Sequence, residues 1–241
     1  MTTTHIESLA TNQRQEKAGS AWKPLYRVGG VAALTIVGIM IVQIIVFIAW
    51  PPPSTVLGYF TLFHRNGLLG LLSLDLLYNV DNVLLVLLYL ALYASLRRAS
   101  PTFMAIALAL GLVGIAAYFA SNPAFGMFSL SSQYAVATTA VHRLQLEAAG
   151  QAIMANYAGT AYVVSYILSG VALLIIAVVM LRSTIFAKGT AVVGLVMGIM
   201  MLVPASAGTV GLIFAFGSLI PFTIWLILVA RRLLQLGQVE S

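Results

Sequence analysis

The sequence predicts an all-α, polytopic membrane protein with six transmembrane helices, and three observations carry that expectation. Hydrophobic residues make up 61% of the 241-residue chain and charged residues 7%, with a mean hydropathy of +1.02; a soluble domain needs far more charge to cover its surface. Apolar runs of about 20 residues, the length that crosses a bilayer as a helix, recur along the chain. Lysine and arginine stand beside those runs rather than inside them, the pattern that sets membrane orientation. The net charge of +6 therefore reads as topology and not as affinity for nucleic acid. A cysteine count of zero excludes disulfides, thiolate metal sites and cysteine nucleophiles.

Taken in order, residues 1–27 form a polar N-terminal tail of mixed charge. The run 28–50 is longer than the core of a signal peptide and ends in Trp50 and Pro51, Pro52 and Pro53 without a small-residue cleavage pattern, so it reads as an uncleaved first span. Further spans are expected at about 68–95, 102–120, 160–181, 190–207 and 209–230, completing a membrane domain over 28–232 that a C-terminal tail, 233–241, follows. Pro204, Gly208 and Gly211 mark the turn between the last two spans, where no charge separates them.

Six spans with both termini in the cytoplasm place Arg14, Lys17, Lys23, Arg27, Arg97, Arg98, Arg182, Lys188, Arg231 and Arg232 on the inner side. Only Arg65 and Arg143 fall outside, so the opposite orientation is disfavoured. Loops 51–67 and 121–159 then lie on the extracytoplasmic face, where Trp50, Tyr59, Tyr118 and Tyr162 suit an interfacial belt, as Trp22 and Tyr26 suit the inner one. In the longer loop Tyr134, Val141, Leu144 and Ala148 recur at helical spacing, with Ser131 or Ser132 to cap the start and Gly150 to end it. That predicts a short amphipathic helix between helices 3 and 4, either a membrane-surface connector or a lid. As a lid it would lower His142, Arg143 or Glu147, with His64 and Arg65 from the other loop, onto something beneath.

The candidate for what lies beneath is "LLSLDLLYNVDNVLLVLLYL", residues 71–90, a leucine-rich span that carries two aspartates and two asparagines. Asp75, Tyr78, Asn79 and Asn82 follow the spacing i, i+3, i+4, i+7 of one helical face, with Asp81 beside them. Each central aspartate costs about 2.5–3.5 kcal/mol to insert against roughly half a kcal/mol returned per leucine. The stripe must therefore be hidden against protein or water. Tyr162, Ser165, Tyr166 and Ser169 repeat the spacing on the fourth span, and Gln43 and Ser206 belong to the same outer depth. The expectation is a polar, acidic pocket in the outer half of the bundle, open to the outside, above a largely apolar inner half.

No lysine or arginine lies within the spans, so charge balance requires a protonated acid, a bound cation or a basic loop residue reaching down. The oxygen set of Asp75, Asn79, Asp81, Asn82 and Ser169 suits Na⁺ or Ca²⁺ better than transition metals; interhelical hydrogen bonding is the plainer use of the same residues. Catalysis is disfavoured. There is no HExxH and no histidine within a span, which argues against zinc hydrolases, rhomboid-type serine chemistry and histidine-ligated haem, and no lysine lies within a span for a retinal Schiff base. No metal site or cofactor is expected. Asp75 and Asp81, i and i+6 on a helix, point about 120° apart and about 9 Å apart along the axis, poor geometry for sharing a proton. Gly194 and Gly198 form a GxxxG suited to close helix packing or homo-oligomer contact, and Pro204 and Pro221 suit helix bends.

Two functional classes follow. One is binding or translocation of a small solute, proton or cation at the acidic pocket. The other is a non-catalytic accessory or assembly subunit whose polar stripe pairs with a membrane partner; an intramembrane enzyme is a third and weaker reading. The lipid bilayer is the partner common to all.

The stretches "LLYNVDNVLLVLLYLALYASLRR", "GIAAYFASNPAFGMFSLSSQYA" and "LIPFTIWLILVARRLLQLG" resemble the bacterial membrane family called domain of unknown function 4386, over about residues 25 to 237. The resemblance implies six membrane helices. It brings with it no activity and no site residue.

Overall fold

The computed structural model describes residues 22–238, so most of the polar N-terminal tail, with Arg14 and Lys17, and the last residues of the C-terminal tail lie outside the described residues. Among the described residues the chain is all helical, with no strand. Helix α1, Lys23–Ala49, starts on Pro24 in its first turn, where a missing N–H costs nothing, and ends at Trp50 before three prolines that cannot continue it. Helix α2, Val56–Arg65, is capped by Thr55, whose hydroxyl accepts from the Gly58 N–H at 3.1 Å. Asn66 closes α2 and also caps α3, Gly67–Ser73, by accepting from the Leu69 N–H at 3.0 Å.

Next come α4, Leu76–Leu96, and α5, Pro101–Ser121. Two further helices, α6 over Ala124–Val136 and α7 over Ala140–Tyr157, lead into α8, Thr160–Arg182. The chain finishes with α9, Lys188–Met200, and α10, Gly208–Gln238, which holds Pro221 inside it. Five helical stretches are long and apolar enough to cross a membrane: Lys23–Ala49, Leu76–Leu96, Pro101–Val136, Ala140–Arg182 and Gly208–Gln238. Their apolar faces, such as Ile41, Ile45 and Ile48 of α1 and Ile213, Phe216 and Ile220 of α10, are exposed and suit lipid contact.

Three sequence expectations change. The span expected at 68–95 is two helices, α3 and α4, broken at Leu74–Asp75. The span expected at 190–207 is helical only to Met200, and 13 residues rise about 20 Å, short of a ~30 Å hydrocarbon layer. The single short helix expected in loop 121–159 is the pair α6 and α7: Ser131 and Ser132 lie inside α6, Thr139 caps α7 through the His142 N–H at 3.2 Å, and Gly150 lies inside α7. Periodicity carried across 131–150 merged two helices that Ala137 and Thr138 separate.

Packing arranges these elements in two layers. α1 packs on α4 and α10, α4 on α5, α5 on α8, α8 on α9, and α9 on α10, so six helices close a circuit around one apolar core. Where α4 and α8 approach each other, α5 lies against both. It yields through Gly111 and Gly114: a Cβ on Gly111 would sit 2.7 Å from the Tyr89 ring, and one on Gly114 would sit 2.8 Å from the Ser169 hydroxyl. This notch brings Tyr89 of α4 and Ser169 of α8 together. Over one end of the circuit α2, α3, α6 and α7 form a cap with its own core of Val56, Phe60, Phe63, Ala124 and Met127, into which Leu74 from the helix break inserts.

Candidate functional site

The break between α3 and α4 centres on Asp75, which holds φ 63° and ψ 31°, the left-handed region, and is the one non-glycine residue with positive φ among the described residues. Aspartate tolerates this conformation better than most residues, but it still costs free energy and persists only where the surroundings enforce it. The Asp75 carbonyl still accepts from the Asn79 N–H at 3.0 Å, so α4 begins normally below the kink. The carbonyls that the break releases are satisfied by side chains from other helices. Gln43 of α1 donates from Nε2 to the Leu72 carbonyl at 3.2 Å, and Asn122, just after α5, donates from Nδ2 to the Leu74 carbonyl at 3.1 Å. Asn122 also accepts from the Ala124 N–H at 3.1 Å, which starts α6. One amide thus joins the break to the cap.

The Asp75 side chain is 7% exposed and lies in a nest of tyrosines. Its Oδ2 accepts from the Tyr157 hydroxyl, at the end of α7, and from the Tyr118 hydroxyl, near the end of α5, at 3.5 Å. The rings of Tyr157 and Tyr162 lie 6.2 Å apart and those of Tyr162 and Tyr166 lie 5.1 Å apart, a tilted ladder descending from the cap into α8. Tyr59, Tyr78, Tyr118, Tyr157, Tyr162 and Tyr166 all lie within electrostatic range of this carboxyl group. In the cap, burial and then the Asp75 charge push the Tyr59 hydroxyl up to about 12. The neutral phenol is thereby retained to strongly alkaline pH. No basic side chain donates to Asp75 among the described residues.

A second group of buried acceptors has no hydrogen-bond partners. Asp81 is 4% exposed and neither of its carboxyl oxygens has a hydrogen-bond partner; Asn79 Oδ1 and Gln43 Oε1 are likewise buried without one. An unpaired buried acceptor costs about 1–3 kcal/mol, more where it is charged, which marks these four oxygens as positions that a proton, a cation or water would relieve.

The expected site residues divide. Asp75, Tyr78, Tyr162 and Tyr166 converge on the break, and Gln43 supports it from below. Asn82 instead donates to the Tyr78 carbonyl of its own helix at 2.8 Å, and Ser165 to the Tyr162 carbonyl at 2.7 Å, so both are satisfied locally. Ser169 faces the α5 notch, and Ser206 is exposed in the turn before α10. Where an open pocket was expected Asp75 is buried, with Tyr157 of the cap donating to it, and none of the basic residues expected as a lid donates to it among the described residues. His64, Arg65, His142 and Arg143 are exposed and Glu147 is half-buried; Arg143 donates to the Ala137 carbonyl at 3.0 Å and sits 5.8 Å from the Tyr134 ring centroid. Tyr157 and Tyr59 reach down in their place.

Tyr118, Tyr157 and Asn122 are contacts of the break that the sequence pattern missed. Tyr59, Tyr118 and Tyr162 suited an interfacial belt, and nothing local in the sequence marked them as neighbours of Asp75. Among the described residues no cluster of histidine, aspartate and glutamate is arranged to hold a metal ion. No family model matches the chain, and neither a curated protein nor a solved structure is significantly similar to it.

Proposed function

We propose that this chain is a multi-pass protein of the cell membrane in which Asp75, with Asp81 deeper in the same span, accepts a proton or small hard cation from the outer side and passes it inward. In this reading six segments cross the membrane, both termini are cytoplasmic, and α9 with the turn before α10 forms the thin fifth crossing. The six-helix circuit and the ten-to-two partition of lysine and arginine support it. Membership of the domain of unknown function 4386 family belongs to the same proposal and rests on the resemblance of the three stretches quoted above.

The observation that carries the function is the break itself. A carboxyl group is buried at a left-handed kink of a broken helix, with tyrosine hydroxyls as its hydrogen-bond donors and no cationic side chain in contact among the described residues. Broken helices at membrane depth are tolerated where their backbone lines a site, and ionisable groups there commonly mark ion paths. Asp81, Asn79 Oδ1 and Gln43 Oε1 supply unpaired acceptors for onward steps. Asp75 and Asp81 are both buried within one chain, which favours an internal site over a stripe that pairs with a partner's helix.

The test is flux through the full-length protein reconstituted in liposomes holding a pH-sensitive dye, with an imposed proton or Na⁺ gradient. Wild type is expected to dissipate the gradient, and Asp75→Asn and Asp81→Asn to reduce the rate at least tenfold while eluting as the same species in detergent. Equal flux in wild type and both variants would falsify the reading.

A further inference from the structure

At the end of the bundle opposite the cap, a cavity of about 380 Å³ lies between the α8–α9 connection and α10. Thr184, Ile185 and Phe186 wall one side, and Leu228, Arg231 and Arg232 the other. Arg232 donates from Nε to the Ile185 carbonyl, and its Nη1 lies 3.4 Å from Gln235 Oε1, which anchors this guanidinium at the rim. Arg231 is exposed, with no hydrogen bond to another described side chain. The floor is the start of α9, where Ala187 and Thr190 line the cavity. Thr190, 5% exposed, lines the same cavity.

Charge completes the picture. The acids among the described residues, Asp75, Asp81 and Glu147, belong to the break, α4 and the cap, whereas Arg182, Lys188, Arg231 and Arg232 gather at this end. The guanidinium groups of Arg231 and Arg232 and the hydroxyl of Thr190 around one cavity form a donor set for a tetrahedral oxyanion, and apolar walls of Ile185, Phe186 and Leu228 suit an occupant that is part hydrocarbon. We propose that this cavity binds a phosphate group, that of an anionic phospholipid headgroup held where the helices meet the membrane surface. A basic cleft between membrane helices fits such headgroups, because basic residues near the surface attract anionic lipid. The lipid would tie the α8–α9 connection to α10.

The test uses the full-length protein in neutral detergent, with thermal unfolding and lipid retention in native mass spectrometry as readouts. Phosphatidylglycerol is expected to raise Tm by several degrees and to stay bound, whereas phosphatidylcholine does neither. Because Arg232 also holds the Ile185 carbonyl, the informative variants are Arg231→Gln and the near-isosteric Thr190→Val, together expected to weaken phosphatidylglycerol retention about tenfold without lowering the lipid-free Tm. If millimolar inorganic phosphate stabilises wild type as well as the lipid does, and the paired variant abolishes it, the phosphate site stands with soluble phosphate as its source. A lipid response that is the same in wild type and the paired variant overturns the proposal.

Discussion

Asp75 joins two demands that oppose each other. Its left-handed backbone would suit glycine or asparagine, and its side chain must meet two tyrosine hydroxyls in a buried nest. Asparagine satisfies the first demand and most of the second, since its amide oxygen accepts from the same hydroxyls while its formal charge is zero. Asp75→Asn is therefore expected to unfold in detergent within a few degrees of wild type. Asp75→Val forces a β-branched residue into the left-handed region and strands both hydroxyls, a combined loss of about 2–4 kcal/mol that thermal unfolding would register as a clear drop in Tm. Equal stability of the two variants would show that the kink imposes no strain. Tyr157 and Tyr118 come from 82 and 43 residues away, which explains why neither was legible as a partner: a hydrogen bond across such a separation leaves no local pattern.

At the level of single elements, the α3–α4 break survives because its loose carbonyls have donors. Asn122 holds the Leu74 carbonyl and at the same time caps the start of α6, so Asn122→Leu removes a donor and an acceptor together. The expected cost is about 1–3 kcal/mol, seen as faster amide hydrogen exchange over the break and the first turn of α6. Gln43→Leu also removes a donor, from the Leu72 carbonyl, but takes away the buried Oε1 that has no partner, and these effects oppose each other. The glutamine variant is therefore expected to lose less stability than the asparagine variant, and the reverse order would mean that Gln43 Oε1 has an unseen partner. A stretch of "LLGLLSLDLLYNV" with no proline reads as continuous helix, because the kink is enforced by Gln43 and Asn122 from other helices and not by local residues.

Across the whole molecule, the closed circuit depends on α5 letting α4 and α8 approach over its glycines. Gly114→Leu places a side chain where the Ser169 hydroxyl and the Ser165 carbonyl already stand, 2.8 and 3.2 Å from the first added carbon. Overpacking of this kind costs about 1–3 kcal/mol, and here it also separates the Tyr162–Tyr166 ladder from Asp75. Gly114→Leu is expected to lower Tm and to weaken gradient dissipation together. Gly38, where an added carbon meets nothing within 4 Å, is the matched control: Gly38→Leu should leave both unchanged. Loss of flux in the control as well would point to a general intolerance of bulk in the bundle.

Composition and hydropathy were enough to establish an all-helical chain with helices fit for a membrane, because an apolar solvent demands apolar side chains along every residue of a crossing helix and forbids unpaired backbone. The same demand made Asp75 and Asp81 conspicuous and required them to be hidden. Folding in three dimensions settled what hides Asp75: a kink in place of a continuous stripe, hydroxyl donors from Tyr118 and Tyr157 on two other helices, and a cap of four helices over that end of the bundle. Those features arise from contacts between residues far apart in the chain, and periodicity within a helix carries no record of which distant side chain will arrive.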